Sequence, residues 1–142
     1  MKANEIMTAH EVWACSETTT VRETATMMAQ HDVGSIPILD GEGRLEGIVT
    51  DRDLCVKVLG GGLPPDTPVR EVMTRSVRTV PADASLEDVE SVMREYRIRR
   101  VPVVNESNRL LGFIALADLA RHCHKRSERR ELVEVLEAVS AP

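Results

Sequence analysis

The chain has 142 residues, 42% hydrophobic and 29% charged, the balance of a globular protein that buries a core as one domain or two small subdomains. Its net charge of -5 excludes broad, sequence-independent nucleic-acid binding, which needs a large positive surface to displace counterions. No segment approaches the ~20 apolar residues of a membrane span, and the opening MKANEIMTAHEVW lacks the apolar core of a signal peptide. A cytoplasmic protein with no membrane association is the expectation.

In chain order, Thr20-x-x-Glu23 is a capping box that opens a helix with Val21, Ala25 and Met28 on one face. SIPIL (35–39) and LEGIV (45–49) follow as two short strands joined by the turn-rich DGEGR, a hairpin-like pattern. Pro37 cannot donate to a ladder, so the first strand has a free edge or begins at the proline. A helix then runs from about Asp51 to Val58. The glycines and prolines of GGGLPPDTP (60–68) end it; without a following lysine and serine or threonine they make a linker, not a phosphate loop.

The same order returns. Ser85-x-x-Asp88 caps a helix with Leu86, Val89, Met93 and Tyr96 on one face; RVPVV (100–104) and LLGFI (110–114) flank NESNR, with Pro102 placed as Pro37 is; a helix runs from about Leu116 to His124. The closing RSERRELVEVLEAV places Leu132, Val135, Leu136 and Val139 at helical spacing, a packing or dimer helix.

Shifted by 65 residues, 21–54 overlies 86–119 without a gap, and seven of the 34 positions are identical: Met28/Met93, Pro37/Pro102, Arg44/Arg109, Leu45/Leu110, Gly47/Gly112, Asp53/Asp118 and Leu54/Leu119. Upstream, IMT (6–8) matches VMT (72–74) at an offset of 66. Two copies of so long a unit make a pseudo-symmetric pair, not a solenoid. The expected division is repeat 1 over 1–62, a linker over 63–68, repeat 2 over 69–125 and a C-terminal helix or tail over 126–142.

Other polar constellations point to little chemistry. Cys15, Cys55 and Cys123 are far apart and in no C-x-x-C pair, which argues against a disulfide framework or zinc knuckle. Cys15 and Cys55 have no evident activating base and read as small core hydrophobes. HCH (122–124) reads as a helix end, since adjacent helical side chains diverge by about 100°. No nucleophile, base and orienting acid can be singled out, and no metal-ligand spacing occurs. The expectation is a protein that is not an enzyme and holds no metal.

GIVTDRDL (47–54) is the stretch that divides structural from functional readings. Thr50 and Asp53 form a capping box by spacing alone, and an acid in the first helical turn contributes ~0.3 to 1 kcal/mol against the helix dipole. In the second copy Ala115 replaces the threonine, yet Asp118 remains. A carboxylate at such a turn is also suited to accept the two hydroxyls of a ribose diol.

A capped helix, a hairpin and G-h-h-[ST]-x-x-D opening a second helix, written twice, resembles a tandem pair of CBS domains, or Bateman module, over roughly Met7 to Arg121. The resemblance implies an α/β (α+β) fold: two pseudo-symmetric β-α-β-β-α repeats packed through their sheets, plus the C-terminal helix. It further implies a non-catalytic regulatory module, a homodimer, that binds an adenosine-containing ligand between the repeats and signals to a partner protein. AMP, ADP or ATP is the expected ligand, with S-adenosylmethionine or NAD as further members of the class.

By family position, Thr50 and Asp53 take the ribose, Arg97 the phosphate with Arg99 and Arg100 nearby, and Thr74 and Ile98 flank adenine, although Ile98 also suits plain core. Alternation along an extended strand would send Arg97 and Arg99 to one side and Arg100 to the other. A solvated basic edge that discourages strand pairing is the other reading of this cluster. The second cleft, with Asp118, His31 and Ser35, has Ala115 for threonine and Asp32 where the first has Arg97, so it is expected to be weak or empty. The competing functional class is a structural or interaction dimer module that binds no nucleotide.

Overall fold

The computed structural model describes residues 1–10, 12–122 and 126–141, Arg126 by its backbone alone. They form two compact units, one of residues 13–77 and one of residues 1–12 with 78–142. The unit boundaries cut the chain elsewhere than the sequence repeats do, and backbone pairing gives the reason. Thr74 exchanges hydrogen bonds with Ile48 at 2.8 and 3.0 Å, and Thr8 does the same with Phe113 at 2.8 and 3.0 Å. The IMT segment that opens repeat 1 is therefore bound to the second hairpin, and VMT is bound to the first.

In the unit of residues 13–77, α2 (Val21–His31) follows the short α1 (Ala3–Ile6) of the other unit. Thr20 caps α2 as expected: its hydroxyl accepts the Glu23 amide at 3.1 Å and Glu23 accepts the Thr20 amide at 3.0 Å. Val21, Thr24 and Met28 form the buried face, and Ala25 is exposed. Helical spacing predicts Ala25 on this face; Thr24 takes the buried place instead, its hydroxyl entering the core by donating to the Thr20 carbonyl at 2.9 Å. Asp32, left-handed at φ 51°, ends the helix.

Strands β1 (Ser35–Leu39) and β2 (Leu45–Thr50) pair antiparallel with a bulge at Ile38/Leu39. Ile36, Ile38 and Val49 point into a core completed by Cys15, Val21, Met28, Val58, Val69, Val72 and Met73. Helix α3 (Asp51–Asp53) continues as a wider π-wound stretch, Leu54–Leu59, where the sequence led us to expect a regular helix. Cys55 is exposed on it, so its reading as a core residue is corrected; Cys15 is buried. The linker is docked, since the Val21 amide donates to the buried Thr67 at 2.9 Å.

In the other unit, β3 (Val80–Pro81) runs parallel to β4 (Arg100–Val104), which pairs antiparallel with β5 (Leu110–Ala115). Helix α4 (Leu86–Tyr96) starts at the Ser85/Asp88 box, α5 (Leu116–His122) follows β5, and α6 (Arg126–Ser140) packs against α4. Val89 and Met93 are buried, but Tyr96 is 40% exposed and lies under the Arg78 guanidinium, 4.2 Å from the ring centre. On α6, Leu132 and Val135 are buried and Val139 is partly buried, whereas Leu136 faces solvent. The expected end of α5 at His124 lies outside the described residues, as does Cys123; His122 Nδ1 donates to the Asp118 carbonyl, 2.8 Å away.

The result is the mixed α/β fold expected from the repeat, with a two-stranded and a three-stranded sheet. The leading strand of each repeat is minimal: β3 in one, and a single parallel bridge from Cys15 to Ile38 in the other.

Candidate functional site

The turn from β2 into α3 is built by the capping box. The Thr50 hydroxyl accepts the Asp53 amide at 3.1 Å, and Asp53 Oδ2 accepts the Thr50 amide at 2.9 Å. Asp53 Oδ1 lies 3.1 Å from Lys57 Nζ, which also donates to the Val72 carbonyl at 2.9 Å. Lys57 thus ties the aspartate to the segment that carries Thr74. That segment pairs with β2 at Ile48, so Thr50, Asp53 and Thr74 belong to one unit and one strand end.

Gly47 permits this approach. A Cβ there would stand 2.8 Å from the Thr74 carbonyl oxygen and 2.9 Å from Met73 Sδ. Gly112 has the equivalent place in the other unit, where a Cβ would meet the Thr8 carbonyl oxygen at 2.6 Å. The glycine of the repeated G-h-h pattern is therefore a packing requirement.

The corresponding turn at Ala115 is chemically different. Asp118 is 6% exposed; its Oδ2 accepts the Ala115 amide at 2.7 Å and its Oδ1 is bound to the Arg121 guanidinium. Half of the capping box survives without the threonine, because the aspartate's bond is to backbone. Arg100 stands over the Phe113 ring at 4.5 Å; burial lowers its pKa and the charge of Asp118 opposes that shift.

The remaining candidates are placed as follows. Arg97 is the exposed left-handed residue that ends α4, with φ 54°, so strand alternation does not describe it; β4 begins only at Arg100. Arg99 is exposed and its carbonyl accepts the Leu116 amide at 2.9 Å. Ile98 is partly buried against the core of its own unit. His31 stacks on Trp13, ring centres 3.5 Å apart and planes 8° from parallel, and Ser35 opens β1. Thr50, Asp53, Thr74, His31 and Ser35 lie in the unit of residues 13–77, and Arg97, Ile98, Arg99, Arg100 and Asp118 in the other.

Lys57 and Arg121 were not picked out from the sequence. Their signal was present, since a cation three or four residues after a helical aspartate is a standard pairing. Among the described residues no group of three His, Cys, Asp or Glu side chains is placed to hold a metal ion, and no helix is long and apolar enough to cross a membrane.

The chain was compared with known proteins. It is 38% identical over 141 residues to Hypoxic response protein 1 of Mycobacterium tuberculosis, covering 99% of this chain and 94% of that one. CBS domain-containing protein YhcV of Bacillus subtilis is 40% identical over 110 residues, or 78% and 77% of the two chains. Among solved structures, Hypoxic Response Protein I with two coordinated zinc ions matches with a TM-score of 0.78 at 40% identity, over 86% of this chain and 98% of that one. The CBS domain pair of protein MJ0100 in complex with 5'-methylthioadenosine and S-adenosyl-L-methionine matches with a TM-score of 0.75 at 26% identity, over 85% and 94%. The CBS-domain family model matches twice, at residues 3–60 and 69–125, and the chain belongs to the CBS-domain family as a tandem pair.

Proposed function

We propose that this CBS pair is a non-catalytic regulatory module that binds an adenosine-containing ligand, of the AMP, ADP or ATP class, through Thr50 and Asp53. The supporting observation is the turn itself: the Asp53 carboxylate is held by the Thr50 amide at the end of β2, beside the segment that carries Thr74. A ribose diol is the chemical group such a carboxylate accepts, and the relative MJ0100 is crystallised with two adenosine derivatives.

In this reading Arg97 is the phosphate contact by family position, and Arg99 is the nearby exposed cation. Arg100 has a lesser part, because it is committed to Phe113 and to the charge of Asp118. The Asp118 turn, where the carboxylate is buried and Ala115 offers no hydroxyl, is the weak or empty site. Ligand binding shifts the protein toward the state that binds it better, and a partner protein reads that shift; the coupling is no larger than the ligand's preference between the two states.

The test is a thermal-shift screen with AMP, ADP, ATP, NAD and S-adenosylmethionine on the wild type and Asp53→Ala. Ligand at 100 times its dissociation constant should add ~2.7 kcal/mol of apparent stability to the wild type alone. No shift with any of them would leave the interaction module as the better account.

A further inference from the structure

Glu90 is a charged residue placed where the fold should want an apolar one. It lies within α4 and is 5% exposed, while its counterpart in the first repeat, Ala25, faces solvent. The difference follows from α6, which packs on α4 and has no equivalent in the first repeat. Glu131 of α6 lines the same depression as Glu90. Two carboxylates have acceptors only, so a direct bond between them requires a proton held between them.

The surroundings favour keeping that proton. Burial, then the hydrogen bond and charge of Glu131, push the Glu90 pKa up to about 7; Arg94 opposes and Glu128 adds to the rise. Arg94 is itself drawn to Glu134 on α6, 3.4 Å away. Glu87 of α4 and Arg129 and Arg130 of α6 line the same depression, which holds about 890 Å³. Strand β4, which also packs on α4, contributes Val101 and Val103 to the common core.

We propose that Glu90 and Glu131 form a proton-operated latch: sharing a proton they clamp α6 on α4, and losing it turns the clamp into repulsion that loosens α6 and uncovers Leu132 and Val135. The direction follows from linkage. A carboxyl whose pKa is raised from 4.5 to about 7 by docking stabilises the docked state fully below the lower value, and that contribution is lost as pH rises through the upper one. The latch is independent of any nucleotide, since none of its residues belongs to the candidate ligand site.

Amide hydrogen exchange along α6, corrected for the intrinsic pH dependence of exchange, tests it on the full chain. Between about pH 5.5 and about pH 8.5 the protection of the wild-type helix should fall about thirtyfold, while Glu90→Gln holds it constant. Glu90→Leu, which removes the charge without leaving a polar group, should behave as Glu90→Gln does even if the amide packs poorly. Constant protection in the wild type, or an undiminished fall in both variants, would overturn the latch.

Discussion

Asp118 is bound to Arg121 across one turn of α5, while Asp53, its counterpart in the other repeat, is bound to Lys57 on the π-wound continuation of α3. Two copies of one aspartate thus have different duties. Asp118 is buried, with its oxygens held by the Ala115 amide and Arg121; Asp53 is partly buried, with its oxygens held by the Thr50 amide and Lys57, and its turn keeps the threonine hydroxyl that Ala115 lacks. On the function proposed above, the ligand-binding and the structural duties fall to different copies of this aspartate.

The structural duty of Asp118 predicts unequal mutational costs within its own ion pair. Asp118→Ala leaves the Ala115 amide unpartnered and removes the carboxylate that offsets the desolvation of Arg100, so it should cost roughly 1 to 3 kcal/mol. Arg121→Ala should cost less than about 1 kcal/mol, because that side chain is largely in water. Urea denaturation of both variants measures the difference; equal costs would show that the ion pair, not the backbone bond, is what Asp118 provides.

The two close-approach glycines should be far less tolerant than the turn glycine. Gly47→Ala and Gly112→Ala each drive a methyl into a backbone carbonyl oxygen and should destabilise by about 1 to 3 kcal/mol. Gly43→Ala meets no neighbour and bears only the strain of φ +80°, about 1 kcal/mol. Midpoints from thermal or urea unfolding order the three.

Cysteine alkylation should be selective. Burial pushes the Cys15 thiol up, with the Thr24 hydroxyl opposing, so little thiolate forms at neutral pH and reagent is shielded from it. Cys55 is exposed on the π-wound stretch. Peptide mapping after brief iodoacetamide treatment should find Cys55 modified well before Cys15; comparable rates would mean that the core around Cys15 opens readily.

Much of this was legible from local pattern. The strands at 35–39 and 100–104 follow from short β-branched runs between turns, and the capped helices follow from Thr20 and Ser85 with an acid three residues on. The misreadings share a cause: tertiary context decided what local chemistry left open. Thr24 is buried because Thr20 offers it a carbonyl; Arg97 is a left-handed helix end because α4 runs right up to it. The swap of IMT and VMT between hairpins rests on pairings such as Thr8 with Phe113, which no local window contains. Within the candidate site, Thr50 and Asp53 were legible as a motif, but Lys57 acquires its meaning only from the Val72 carbonyl it reaches.

The most direct test of the nucleotide-sensing account is isothermal titration of AMP and S-adenosylmethionine into the wild type and into Asp53→Ala, with folding of the variant checked by circular dichroism. The account predicts saturable binding of an adenosine ligand to the wild type and its loss, by tenfold or more, in the folded variant, as removal of a charged acceptor from a diol implies. Undiminished binding by Asp53→Ala would contradict the assignment of the site, and no binding by the wild type would contradict the account itself.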